Sequence, residues 1–333
     1  MADTSEIARK AAVQALADDL LKISLNHPGV DARIKPLSFA TKSKHNRTSL
    51  QFFHATMVDN QPSVDDLVGI LDNKLLRFCI PSEKTRSLAD EFDHGKISHE
   101  QYVDRIADLQ SKARRLFISS QKASKRSGES GELLLYLLSE WVLGAPQILA
   151  KMSLKTNPGM PVHGADGIHI SVDLMSDRLM FYFGESKVYK SVKSAVSDAV
   201  SSIESFVSRS GAQYEIELLT THIALSGLGT EAQKVLLDIL DPYTESMLDR
   251  RNVITGLIVF DSEAYKVAPD SGDFVSNFNE VLEAEIEAAV ERFDNDVASR
   301  SLEAHHIVLF LFPIDSVATL RQKFHQRIGW QDV

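Results

Sequence analysis

The chain has 333 residues, with 46 acidic side chains against 36 basic ones and a formal charge of −10. That balance excludes a protein that coats nucleic acid through bulk charge. A single cysteine, Cys79, excludes an internal disulfide framework and a cysteine-rich zinc site. The opening residues, Met1-Ala-Asp-Thr-Ser-Glu6, are polar and acidic, unlike a secretory signal. The longest apolar runs, 253–260 and 307–312, fall far short of the roughly 20 residues of a membrane helix. The expectation is a cytoplasmic protein with no membrane partner.

Charge is distributed unevenly. Residues 101–130 hold seven bases (Arg105, Lys112, Arg114, Arg115, Lys122, Lys125, Arg126) and three acids, whereas 281–300 hold six acids and two bases. Each stretch reads as a solvated helix face or as a surface for a partner of opposite charge.

Taken in chain order, residues 6–26 carry the apolar spacing of an amphipathic helix through Ile7, Ala11, Leu16, Leu20 and Leu21. Residues 31–58 alternate and are rich in aromatic and β-branched side chains, which indicates short strands. A helix is expected over 62–78 with Ser63 as N-cap, and another over 98–120. The Ser/Lys/Gly-rich stretch 121–130 is the best linker candidate. It divides an N-terminal α/β region, 1–126, serving regulation or partner docking, from a second region, 127–333.

The second region opens with an apolar helix at 131–143. A strand is expected at 146–155 and a loop at 157–165. A hairpin follows, with strands at 166–174 and 178–187 and a turn at Met175-Ser-Asp177. Helices are expected at 189–208, 230–240, 274–300 and 316–327, with strands at 253–260 and 306–312. Strands alternating with helices indicate an α/β class with a mixed sheet.

Four polar residues in the central block stand out. In Arg178-Leu-Met-Phe-Tyr-Phe-Gly-Glu-Ser-Lys187, alternation points Glu185 and Lys187 the same way at the end of an apolar strand. Two charges there are costly unless paired or bound. Asp166 opens the preceding strand between two glycines, and Glu132 sits in the first turn of an apolar helix, where the helix dipole favours a carboxylate. Asp166, Glu185 and the backbone carbonyl of Ser186 supply the hard oxygens that Mg²⁺ takes, with Mn²⁺ as a substitute. Glu132 could serve a second ion. Lys187 would orient water and stabilise charge on a phosphate. Acid-x-Lys triplets occur twice in the chain, at Asp72-Asn-Lys74 and Glu185-Ser-Lys187, about what this composition gives by chance. Position, not the triplet, distinguishes the second. The alternative is a plain buried ion pair between Lys187 and a carboxylate.

A helix bearing Glu132, a strand, Asp166 at the start of a strand, Glu185-Ser-Lys187 on the next and then a helix resembles the PD-(D/E)XK restriction-endonuclease-like core. More narrowly, four stretches together resemble the HamA family, the nuclease-like component of the Hachiman anti-phage defence system. They are Gly131-Glu-Leu-Leu-Leu-Tyr-Leu-Leu138, Lys151-Met-Ser-Leu-Lys155, Val162-His-Gly-Ala-Asp-Gly-Ile-His169 and Phe183-Gly-Glu-Ser-Lys-Val-Tyr189. The proline that usually precedes the metal-binding Asp is replaced by Ala165. The resemblance implies catalytic roles for Glu132, Asp166, Glu185 and Lys187, with Mg²⁺ held by Asp166 and Glu185. It implies double-stranded DNA as substrate with little base specificity, and a HamB-like helicase partner that restrains the nuclease. The rival expectation is a catalytically silent adaptor that docks a helicase.

Other residues invite blander readings. Lys151 and Lys155 are either phosphate contacts or a surface pair. His163, His169, His305 and His306 are expected to bind no metal. Ser226-Gly-Leu-Gly-Thr230 lacks the lysine of a phosphate-binding loop and reads as a turn. Cys79 reads as a buried thiol. Tyr189 and Lys190 either line a DNA groove or start a helix.

Overall fold

The computed structural model describes residues 4–24, 27–124, 128–154, 164–176, 178–241, 243, 249–267 and 273–330. Lys155, His163, Asp177 and most of the loop expected at 157–165 lie outside them.

Helix α1 (Thr4–Ile23) is followed by β1 (Ile34–Pro36), β2 (Thr48–Ala55) and a two-residue hairpin of β3 (Met57–Val58) and β4 (Gln61–Pro62). Asp59 and Asn60 turn that hairpin with φ of 50° and 59°, a conformation these two residue types tolerate. Then come α2 (Val64–Cys79), α3 (Ser82–Asp93), α4 (His99–Ser124) and α5 (Glu129–Leu143). Helix α4 carries through to Ser124, so much of the expected linker is helical, and residues 125–127 lie outside the described ones.

The remaining elements are β5 (Gln147–Leu149), β6 (Ile168–Asp173), β7 (Arg178–Tyr189), α6 (Val192–Ser208), α7 (Gly211–Thr221), α8 (Thr230–Leu240), β8 (Asp249–Asp261), α9 (Phe274–Ser299), β9 (His306–Ile314) and α10 (Val317–Ile328). The strand expected over 146–155 is only three residues long, and a 3₁₀ turn at Lys151–Leu154 replaces the rest. Helix α6 starts later than its apolar spacing suggests. Tyr189 still belongs to β7, and the Ser191 hydroxyl accepts the Ser194 N–H as the N-cap.

Seven strands form one sheet in the order β1-β2-β9-β8-β7-β6-β5. β5 pairs antiparallel with β6, β6 with β7 and β1 with β2, whereas β7, β8, β9 and β2 are mutually parallel. The succession α5-β5-β6-β7-α6, with β8 returning beside β7 after α7 and α8, is the mixed core expected of a PD-(D/E)XK-like protein. The N-terminal α/β region extends the same sheet, since β2 lies beside β9 with Leu50 opposite Leu309.

One face of the sheet is covered by α2, α4, α5 and α10, where Leu71, Phe117, Leu134 and Phe324 meet Leu257, Val259, Phe310 and Phe312. On the other face α6 and α9 cover Ile254, Ile258, Leu309 and Leu311. Helices α1, α7 and α8 complete that second face over Ile168, Ile170, Phe181 and Phe183. Burying each such side chain contributes roughly 1.5–3 kcal/mol before chain entropy is counted.

Candidate active site

The site forms where α5 meets the far half of β7. Gly131, in the first turn of α5, makes that approach feasible. A Cβ there would lie 2.3 Å from Val188 Cγ2 and 3.3 Å from Ser186 Oγ. The helix start therefore rests against the strand, and Glu132, half-buried, comes with it. From Leu133 to Leu138 every side chain of α5 is buried, which fixes the helix in the core.

Asp166 precedes β6 and continues its pairing with β7. Its N–H donates to the Gly184 carbonyl at 2.7 Å, and the Gly184 N–H donates to Gly167 O at 3.1 Å. Asp166 Oδ2 then accepts the Ser186 N–H at 2.8 Å and the Ser186 hydroxyl at 3.0 Å. In a strand a residue's N–H and C=O leave on the same side. The Ser186 carbonyl thus leaves β7 toward Asp166 and away from β8.

Glu185 and Lys187 lie in register with Gly256 and Ile258 of β8. Ile258 belongs to the core under α6 and α9, so the two charged side chains lie on that face, while Ser186 and Val188 face α5. Lys187 Nζ donates to Glu185 Oε1 at 2.5 Å. Their side chains remain 17% and 25% exposed, open enough for a ligand to reach them.

Electrostatics join the four groups. Burial raises the Asp166 carboxyl well above the usual carboxylate range, and the charges of Glu132 and then Glu185 push it further; the two bonds from Ser186 oppose this. Burial pulls the Lys187 ammonium down, but Glu185 and, more weakly, Asp166 leave it above its ordinary value. Asp166 therefore sits at the strand edge within the fields of Glu132 and Glu185. A cluster of carboxylates that repel one another, with a carbonyl aimed at the same edge, suits a hard divalent cation. Among the described residues no three acids or histidines already stand as a ready-made metal cage. Mg²⁺ needs only one or two carboxylates completed by water and phosphate oxygens.

Lys151 departs from both readings of its sequence. It is buried, and its Nζ donates to Glu215 Oε1 at 2.6 Å and to the Ala165 carbonyl at 2.6 Å. The Ala165 N–H donates to the same Glu215 oxygen at 2.7 Å. A proline at 165 would have no N–H to give. Lys151 also lines a small pocket with Phe78, Glu132, Gln147, Met152 and Asp166. Gln147, Ser186 Oγ and Glu215 are polar groups of this region that the sequence does not single out.

His169 is buried, and burial pushes its imidazole down, so it is neutral and holds Ala145 O at 2.8 Å. Burial, then Arg251, Arg47 and Arg178, likewise push His306 down. Cys79 is a buried thiol. Tyr189 and Lys190 are exposed at the end of β7.

Topology and the ordered helix–hairpin–helix placement of these side chains define an α/β protein with a PD-(D/E)XK-like core. The family model of HamA matches residues 32–328, nearly the whole chain. The chain belongs to the HamA family and is thereby a component of the Hachiman anti-phage defence system, which has other subunits. No curated protein matches the sequence. Among the described residues no helix is long and apolar enough to cross a membrane.

Proposed function

We propose that the protein is the metal-dependent deoxyribonuclease of its defence complex, cutting double-stranded DNA with little sequence specificity under restraint by a HamB-like helicase. The observation that carries this reading is the placement of Glu132, Asp166, Glu185 and Lys187 about the stretch of β7 that runs on past its pairing with β6. Glu132 and Asp166 line one pocket, Ser186 of β7 bonds Asp166, and Glu185 and Lys187 flank Ser186 on that strand.

Asp166, Glu185 and the Ser186 carbonyl would hold Mg²⁺ or Mn²⁺, and Glu132 would supply a further carboxylate from α5. The cation, when bound, polarises the phosphate and offsets the charge that builds on it. The Ser186 N–H and hydroxyl fix Asp166 in one orientation. Lys187 remains protonated at neutral pH, so it acts as a hydrogen-bond donor to water or to the phosphate, not as a base. As water bonds to phosphorus, one phosphorus–oxygen bond to the sugar breaks, and the proton that water gives up balances the one the departing sugar oxygen takes from solvent. A net charge of −10 leaves much of the DNA affinity to the helicase subunit.

One contact favours the rival, a silent adaptor. The Lys187–Glu185 bond of 2.5 Å is also what a purely structural ion pair looks like. Cleavage of linear and circular duplex DNA separates the two readings. The assay uses the protein with its helicase partner and ATP, with Mg²⁺ or with EDTA. The nuclease reading expects Mg²⁺-dependent cutting that falls at least a hundredfold in Lys187→Ala, on the scale of losing one electrostatic stabiliser. An absence of cutting under all these conditions supports the adaptor.

A further inference from the structure

The residue before Asp166 is held by groups far away in the chain. Glu215, on α7, is fully buried, and its Oε1 accepts both the Ala165 N–H at 2.7 Å and Lys151 Nζ at 2.6 Å. Lys151 Nζ also donates to the Ala165 carbonyl at 2.6 Å. Both polar groups of one peptide residue thus bind to a single ion pair. Gly164 shows how closely the chain is drawn in. With φ at +121°, a Cβ on it would lie 2.0 Å from Glu215 Oε1. On the other side of Asp166, the β6–β7 pairing fixes its N–H and Gly167.

We propose that the buried Lys151–Glu215 pair is a clamp that positions the Asp166 carboxylate for a divalent cation, so that Glu215 and Lys151 are positioning residues. This rests on the reading of Asp166 as a metal ligand. The pair gives the N–H and C=O of buried Ala165 their partners, so it fixes the backbone at this position as well as balancing charge. Glu215 Oε2 makes no hydrogen bond among the described residues, so the carboxylate's bonds pass through the one oxygen that holds Ala165. The clamp also joins three separate pieces of chain at the lead-in to Asp166: the 3₁₀ turn after β5, the segment before β6, and α7. A Cα held on both sides leaves the carboxylate little freedom to drift from the Ser186 carbonyl, and a metal site tolerates little drift.

The test removes the pair without leaving a lone buried charge. In the full chain, Lys151→Met/Glu215→Leu is compared with wild type by Mn²⁺ binding, read by electron paramagnetic resonance, and by amide hydrogen exchange without metal. The clamp predicts a cooperative melt, a Mn²⁺ dissociation constant raised at least tenfold, and exchange at 164–167 accelerated at least tenfold while β8 is unchanged. Lys151→Met/Glu215→Gln, which keeps an acceptor oxygen for Ala165 and leaves no lone charge, should recover most of the protection. If the first double variant does not fold, this second one is set against Lys151→Met/Glu215→Asn, whose shorter reach should lose what Gln retains. Wild-type affinity and exchange in a folded variant lacking the pair overturn the clamp. A wild type that binds no Mn²⁺ contradicts the metal site instead, and exchange at 164–167 then judges whether the pair holds this segment at all.

Discussion

Asp166 is the residue whose energetics are most informative. Its carboxyl is raised in the fold, so the native state holds a proton that the unfolded chain has already released. Metal-free stability therefore falls as pH rises from about 4, the unfolded value, through the folded value. Asp166→Asn is neutral throughout and escapes this cost. In EDTA at pH 7 it should therefore melt at a higher temperature than wild type. Adding Mg²⁺ should raise the wild-type Tm and leave the variant unmoved. A variant that melts lower in EDTA, or responds equally to Mg²⁺, contradicts the reading of Asp166 as a strained ligand. The four charged residues are legible in the sequence because a helix, a hairpin and a strand end bring them together within one short stretch of chain. Glu215 is not, since it reaches Ala165 from 50 residues away and no local pattern marks it.

At the scale of elements, apolar periodicity locates most helices and the long strands. It fails for α3, Ser-Glu-Lys-Thr-Arg-Ser-Leu-Ala-Asp-Glu-Phe-Asp, where only Thr85 and Leu88 are buried, so no apolar stripe exists to be read. It fails again for α7, which begins after Ser210 at φ 53° and spends an inward position on Glu215. Helix α1 lies before the stretch matched by the family model, and besides the core packing of Leu16 and Leu20 a buried polar contact ties it to the body. Its buried Asp19 accepts the Gly229 N–H at the start of α8, with Lys22 at 3.1 Å and Arg86 at 3.9 Å. Burial alone would raise this carboxyl, but the Gly229 amide, Lys22 and Arg86 together bring it below its ordinary value. The folded pKa is thus below the unfolded one, so the stabilisation is present above about pH 4 and is lost as pH falls through the folded value. Asp19→Ala should cost about 1–3 kcal/mol at pH 7, with the gap narrowing by pH 3. Chemical denaturation of both proteins at the two pH values reads this directly, and a gap of equal size at both contradicts it.

Across the whole molecule, the sequence conveys the α/β class and the succession of core elements but not that the N-terminal region joins the same sheet. Strand pairing between β2 and β9 spans most of the chain, and nothing local encodes it. The acidic stretch lies on α9 and most of the basic one on α4, on opposite faces of the sheet. The polarity read from the sequence is therefore a polarity of the molecule, available to partners of either charge. The proposed metal site lies apart from the middle of both helices, beside the second half of β7. Anomalous diffraction from crystals of the protein soaked in Mn²⁺ tests it most directly. The expected result is a peak about 2.1 Å from Asp166, Glu185 and the Ser186 carbonyl, with Lys187 drawn off Glu185 toward water. A Lys187–Glu185 pair left intact, with no peak at that place, would contradict the nuclease reading and leave the fold to an adaptor.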